Sequence, residues 1–122
     1  MVEFGEFNVV VDDSHRYTDV FSDGYIGPGG AHHHYEVRRK GEAVVQMRFS
    51  FQDGPIKETG VNGIMDENLL AVVIDRLRGF QSGQYACRAN AIALTHLEEA
   101  LMWLKERTKD RIVRGVEGTH KV

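Results

Sequence analysis

Hydrophobic and polar positions alternate along the first half of the chain and recur every three or four residues along the second. Phe7 to Val11 (FNVVV) is short and β-branched, and it stops at Asp12-Asp13-Ser14, a turn-forming cluster. Tyr17 to Phe21 reads as a second strand ending at Ser22-Asp23-Gly24. Gly27-Pro28-Gly29-Gly30 forbids regular structure and predicts a loop. His32 to Arg39 (HHHYEVRR) and Ala43 to Phe51 (AVVQMRFSF) flank Lys40-Gly41-Glu42, which predicts a hairpin with a glycine turn. Along the last strand Val45, Met47, Phe49 and Phe51 alternate with Val44, Gln46, Arg48 and Ser50. A period of two assigns the first set to a core face and most of the second to solvent.

Asp53-Gly54-Pro55 ends the sheet and Val61-Asn62-Gly63 makes a further turn, after which the period becomes helical. Leu69, Leu70, Val73, Ile74, Leu77 and Phe80 define a first helix, with Asp66 or Asn62 available to cap it. Gly79, Ser82 and Gly83 break it. A second helix begins near Tyr85 and meets no breaker until Gly115. Its expected stripe runs Ala86, Ala89 or Asn90, Ala93, Leu97, Ala100 with Leu101, Leu104, Thr108 and Ile112. The fold class is therefore α+β: an N-terminal antiparallel β-sheet (1–58) followed by a long antiparallel helical hairpin and tail (59–122), read as a single domain.

Helices of about 15 and about 29 residues are roughly 22 and 43 Å long, so the second overhangs the first by about 20 Å, starting near Leu97. Ala100-Leu101-Met102-Trp103-Leu104 covers every face of the helix with apolar side chains. The sheet, another chain, or both must cover it, and Leu101, Met102, Trp103 and Leu104 are the expected oligomer interface.

Composition narrows the function. A chain with 42% hydrophobic and 27% charged residues is globular, and no apolar run reaches the ~20 residues of a membrane span. MVEFGEF lacks the order of a secretion signal, and a single cysteine, Cys87, suits a reducing cytoplasm. A net charge of -3 argues against a DNA-binding role. Residues 1–60 hold 6 Lys+Arg against 10 Asp+Glu, whereas residues 61–122 hold 9 against 8, with Lys105, Arg107, Lys109, Arg111 and Arg114 crowded together. Such a patch suits a small anion.

No catalytic set assembles. In His32-His33-His34 only His32 and His34 share a strand face, and no further ligand accompanies them, so a sheet-surface or ligand-contact role is expected rather than a metal. Cys87 and His96 lie about 13 Å apart along one helix, too far for a thiol–imidazole pair. Gly27-Pro28-Gly29-Gly30 lacks the lysine and following helix of a phosphate loop, and Glu98-Glu99 reads as a solvated face. Asn90 stands out because it interrupts an apolar stripe. Its amide either bonds the interhelical turn or faces a ligand. Phe80 comes near it once the chain reverses, and a ring beside an amide, with Arg88 close by, suits a nucleotide.

The segment NGIMDENLLAVVIDRLRGFQSGQYACRANAIALTHLEEALMWLKERT, with the closing GVEGTH, resembles the hairpin shared by two kinds of phage anti-defence proteins. These are the anti-CBASS sponges and the first-type Thoeris anti-defence sponges. The sheet placed before the hairpin makes the chain similar to the Thoeris type. The resemblance implies a protein of the host bacterial cytoplasm that sequesters cyclic ADP-ribose isomers, or cyclic di- or trinucleotides, without cleaving them. It implies no cofactor, an aromatic and an asparagine at the ligand site (Phe80 and Asn90), a late arginine (Arg107), and a homodimer or homohexamer. Asn90 and Arg107 are about 25 Å apart along one helix, so either a partner supplies Arg107 or there are two kinds of site. A small phosphodiesterase-like enzyme and a ligand-free interaction module are the alternatives.

Overall fold

The computed structural model describes residues 7–122, and the chain divides into two compact units, Met1–Ile64 and Met65–Val122. Residues 1–6, which carry most of the reading of the N-terminus, lie outside the described residues.

The first unit is a four-stranded antiparallel sheet in the order β1 (Val9–Asp12), β2 (Thr18–Ser22), β3 (His34–Arg39) and β4 (Val45–Ser50). The strands start one or two residues later than the pattern predicts. The Asp12 side chain ends β1 by turning back on Ser14, whose hydroxyl and amide hydrogen bonds hold the Asp12 carboxyl below its usual 3.8.

The expected core face is corrected. Val45 and Met47 are 37% and 48% exposed, with Phe49 and Phe51 half-buried, while the opposite face holds Glu36 at 1% exposure. Glu36 opposes Phe21 on one side and Arg48 on the other. Its carboxylate accepts from Arg38 at 3.1 Å and from Arg48 at 3.2 Å. The Arg38 guanidinium lies 4.2 Å over the Phe21 ring and Arg48 5.5 Å over Phe7. An isolated buried carboxylate is costly, and these two cations and their aromatic backing are what make its burial tolerable. The half-covered face instead carries a ring cluster of Tyr35, Phe49 and Phe51 with centroids 5.6 Å apart.

The histidine run is also corrected, because His33 and His34 are buried rather than on the sheet surface. His34 Nδ1 lies 2.8 Å from Ser50 Oγ, and His33 Nε2 lies 3.7 Å from Asp53. Tyr25 stacks on His34 and hydrogen-bonds Asp53, which raises the Tyr25 pKa above 10.0. Gly27 is required against them, since a Cβ there would sit 2.3 Å from the His33 ring.

After β4, Pro55 opens the short α1 (Ile56–Thr59), which the periodicity does not predict. The loop around it is clamped by Gln52, which donates to the Gly54 and Gly60 carbonyls, and by Asn62, which exchanges hydrogen bonds with the Asp53 backbone. Asn62 is therefore occupied here and caps no helix. Ile64 then bridges Phe51 in parallel at the edge of the sheet.

The second unit is the helical hairpin, α2 (Asp66–Gln81) and α3 (Arg88–Val113). Asp66 is the first residue of α2, and Asn68 stabilises the entry by accepting from the Met65 N–H at 2.8 Å. At 16 and 26 residues the helices are about 24 and 39 Å long.

Half-buried positions on α3 run Asn90, Leu94, Leu97, Leu101, Leu104, Thr108 and Arg111, in alternating steps of four and three. This is a heptad seam, facing Leu70, Leu77 and Phe80 of α2 together with Ile74, which is 2% exposed. Ala89, Ala93, Ala100 and Ile112, expected on the stripe, are exposed, because leucines fill an interhelical gap that alanines leave open. The overhang is corrected as well. Arg78 reaches Glu98 at 2.7 Å, and Ala71 and Ile74 share a groove with Leu101 and Lys105, so Leu97 to Leu104 lies beside α2 rather than beyond it. Glu98 is thus an ion-pair partner and not a purely solvated residue. Among the described residues no helix is long and apolar enough to cross a membrane.

Candidate ligand site at the hairpin tip

The tip is closed by a glutamine. Gln81, the last residue of α2, donates from Nε2 to the Cys87 carbonyl at 3.1 Å and accepts the Cys87 N–H at 2.9 Å. Its amide thus replaces the hydrogen bonds that a strand neighbour would supply and fixes the turn between Ser82 and Cys87. Cys87 is extended (φ -151°) and caps α3, its Sγ accepting from the Asn90 N–H at 3.5 Å. A cysteine in this capping position explains the residue without nucleophilic chemistry. His96 lies further along α3, with Nδ1 3.9 Å from Glu99.

Phe80 and Asn90 sit on either side of this clasp, and both are half-buried. The Phe80 ring meets Tyr85 edge-on, with centroids 6.4 Å apart, and Tyr85 is 68% exposed. The Arg76 guanidinium lies 4.9 Å from the Phe80 centroid. Sequence reasoning missed Arg76, although its spacing of four from Phe80 on one helix face is a readable signal. Arg88 is the first residue of α3 and is exposed beside the capped N-terminus, an end that favours anions.

The tip therefore gathers, at the end of α2, an aromatic ring with the Arg76 guanidinium over it and, in the first turn of α3, an amide able to donate and accept beside a second guanidinium, Arg88. That set can stack on a base, read its polar edge and balance a phosphate. It contains no nucleophile paired with a base.

Arg107 is not part of this gathering. It is exposed on α3, 17 residues beyond Asn90 and about 25 Å away along the axis. A groove of about 600 Å³ on the flank of the hairpin is lined by Ile74, Arg78, Glu98, Met102, Lys105 and Lys109 among others, and it does not include Phe80, Arg88 or Asn90. On the expected interface, Met102 and Trp103 are 55% and 67% exposed, whereas Leu101 and Leu104 lie half-buried on the hairpin's own seam.

Comparison with known proteins bears on the same segment. The family model described as the Acb2/Tad1 hairpin domain matches residues 42–109, which include β4, α1, α2 and most of α3. The Thoeris anti-defense 1 protein of Bacillus phage SBSphiJ7 is 58% identical over 72 residues, covering 59% of this chain and 51% of that protein. The chain thus spans about half the length of the relative it matches.

Proposed function

The chain belongs to the Acb2/Tad1 hairpin family, and from that premise we propose that it is a phage anti-Thoeris protein that sequesters cyclic ADP-ribose-type messengers. Cyclic di- and trinucleotides are the second ligand class to test. Its action is non-covalent: tight binding in the host cytoplasm lowers the free messenger below what the host effector needs. The observation that carries this reading is the tip itself, where Phe80, backed by Arg76, stands across the Gln81–Cys87 clasp from Asn90. The 58% identity to a Thoeris anti-defense 1 protein supports the anti-defence role.

A second copy completes the assembly in this reading. The exposed Met102 and Trp103 form its contact, and Arg107 reaches a ligand only from a partner or at a separate site. Trp103→Glu should then lower the assembly's mass on sizing, and an unaltered elution volume would remove Trp103 from the interface.

The direct test is recovery of the ligand. The protein is incubated with cyclic ADP-ribose isomers, separated from free nucleotide and heat-denatured. Intact messenger should be released from the wild type, and Phe80→Ala and Asn90→Ala should carry none while keeping the wild-type helix signal. Release of a cleaved product would overturn sequestration in favour of a phosphodiesterase. Unchanged affinity in both variants would move the site away from the tip.

A further inference from the structure

The basic residues of the acidic sheet unit are not spread evenly. Residues 1–60 carry 6 Lys+Arg, and three of them, Arg16, Arg39 and Lys40, line one hollow of about 480 Å³ at the turn end of the sheet. That volume falls in the range of small-molecule sites. Most of its lining (Arg16, Tyr17, Thr18, Arg39 and Lys40) precedes residue 42, where the family match begins.

The local structure fixes each group. Thr18 opposes Arg39 in the β2–β3 register, and the Arg39 N–H donates to the Val44 carbonyl at 3.0 Å. On β4 the register passes from Val37↔Met47 to Arg38↔Val45, leaving Gln46 as the extra residue of a bulge. Bulges re-aim side chains, and Gln46 lines the hollow. Lys40 is held by Asp19 Oδ1 at 2.7 Å and by the Asp13 carbonyl at 2.8 Å. The Arg16 guanidinium lies 5.5 Å from the Tyr17 centroid, and that ring is 66% exposed.

Charge pairing separates these arginines from their neighbours. Arg38 and Arg48 share Glu36, and Lys40 has Asp19. Among the described residues no carboxylate lies within ion-pair distance of Arg16 or Arg39. Two guanidiniums with no ion pair among the described residues, an open ring, a bulge-aimed amide and the Glu42 side chain thus border one concavity in a unit with an acidic excess.

We propose that this hollow is a nucleoside-phosphate site, separate from the hairpin tip. Arg16 and Arg39 take the phosphates, the Tyr17 ring supports the base, and Gln46 with Glu42 contacts the sugar hydroxyls or the base edge. The site lies within the first unit and does not depend on the messenger reading of the hairpin.

The probe is adenosine diphosphate, titrated into isotope-labelled full-length protein, in parallel with inorganic pyrophosphate and adenosine. Wild type and the Phe80→Ala/Asn90→Ala double variant are both used, so that failure at the tip and failure at the sheet are read separately. Saturable amide shifts are expected over residues 16–18 and 39–46 in both proteins, tightest with the diphosphate and weaker with pyrophosphate. Arg16→Ala and Arg39→Ala should each weaken binding by about tenfold, with Arg39→Lys in between. Absence of saturable shifts there at millimolar probe, or affinity indifferent to both arginines, overturns the proposal. So does a polyglutamate peptide that moves the same amides at lower concentration than the nucleotide, because the hollow would then be a protein-docking surface.

Discussion

The sheet unit buries polar and charged side chains, whereas the hairpin unit closes on a seam of leucines, and both leave large hydrophobic side chains exposed. In the first, among the described residues, Asp19, Ser22, His33, His34 and Glu36 are buried and Phe7 joins them from the large apolar side chains. In the second, Ile74 is the buried residue among those described, while Val72, Met102, Trp103, Ile112 and Val113 are between 55% and 79% exposed. A buried ion pair is geometrically exacting, and it holds a fold through partners that must all be present. A hairpin seam that is only half-covered gains less from its own chain, and its exposed apolar face is free for other molecules. The first arrangement makes a scaffold held by polar contacts and the second a seam of leucines, and apolar surface stays open on both, at Val10, Tyr17, Ile26 and Val61 in the one and at Met102 and Trp103 in the other.

The largest expected effect tests the scaffold side of that contrast. Glu36→Ala leaves Arg38 and Arg48 without their shared carboxylate. Breaking a buried pair costs about 3–5 kcal/mol, and the low end applies because the Arg48 side chain is 47% exposed. Urea denaturation followed by far-UV dichroism and by the chain's single Trp, which is Trp103 in α3, separates the units. The loss should appear in the sheet transition. An equal shift in the tryptophan transition would break the contrast, since the chain would then unfold as one block.

A smaller effect tests the hairpin. Gln81→Ala removes both hydrogen bonds to the Cys87 backbone and opens the turn. Each such bond is worth about 0.5–1.5 kcal/mol net, so a loss of about 1–3 kcal/mol is expected, confined to the tryptophan signal. Arg78→Ala, which breaks an ion pair with side chains 61% and 43% exposed, should cost less than about 1 kcal/mol. The reverse order would show that the helix flank, and not the clasp, holds the tip together.

What could be read in the sequence follows the same division. The change of period near Val61 to Asp66 announces the end of the sheet and the start of the hairpin, because local spacing alone encodes it. The choice of buried face was not legible. Glu36, Arg38 and Arg48 look like solvent positions until the β3–β4 register sets Glu36 beside Arg48, and that register is long-range information. On α3 the run Ala100 to Leu104 is apolar on all sides, so composition could not say that Leu101 and Leu104 belong to the seam while Met102 and Trp103 do not. At the tip, the half-burial of Phe80 and Asn90 follows from their positions on the two apolar stripes. Gln81 was not legible, since a glutamine near a helix end is ordinary until its partner is known, whereas the spacing of four between Arg76 and Phe80 carried a signal.

The smallest effect concerns protons in the sheet unit. The hydrogen bond to Asp53 comes first, and partial desolvation and the nearby charges of Asp53 and Asp23 add to it in raising the Tyr25 pKa above 10.0. The fold therefore favours the neutral phenol. Its contribution is complete below the unfolded value and is lost as pH rises from there through the higher folded value. Tyr25 is 45% exposed, so the effect is a small alkaline decline in the sheet transition. Tyr25→Phe should flatten that decline between about pH 9 and about pH 11, while leaving the tryptophan transition where it was. An unchanged decline in the variant would take Tyr25 out of the set of polar contacts, with His33, His34 and Asp53, that gives the sheet unit its interior.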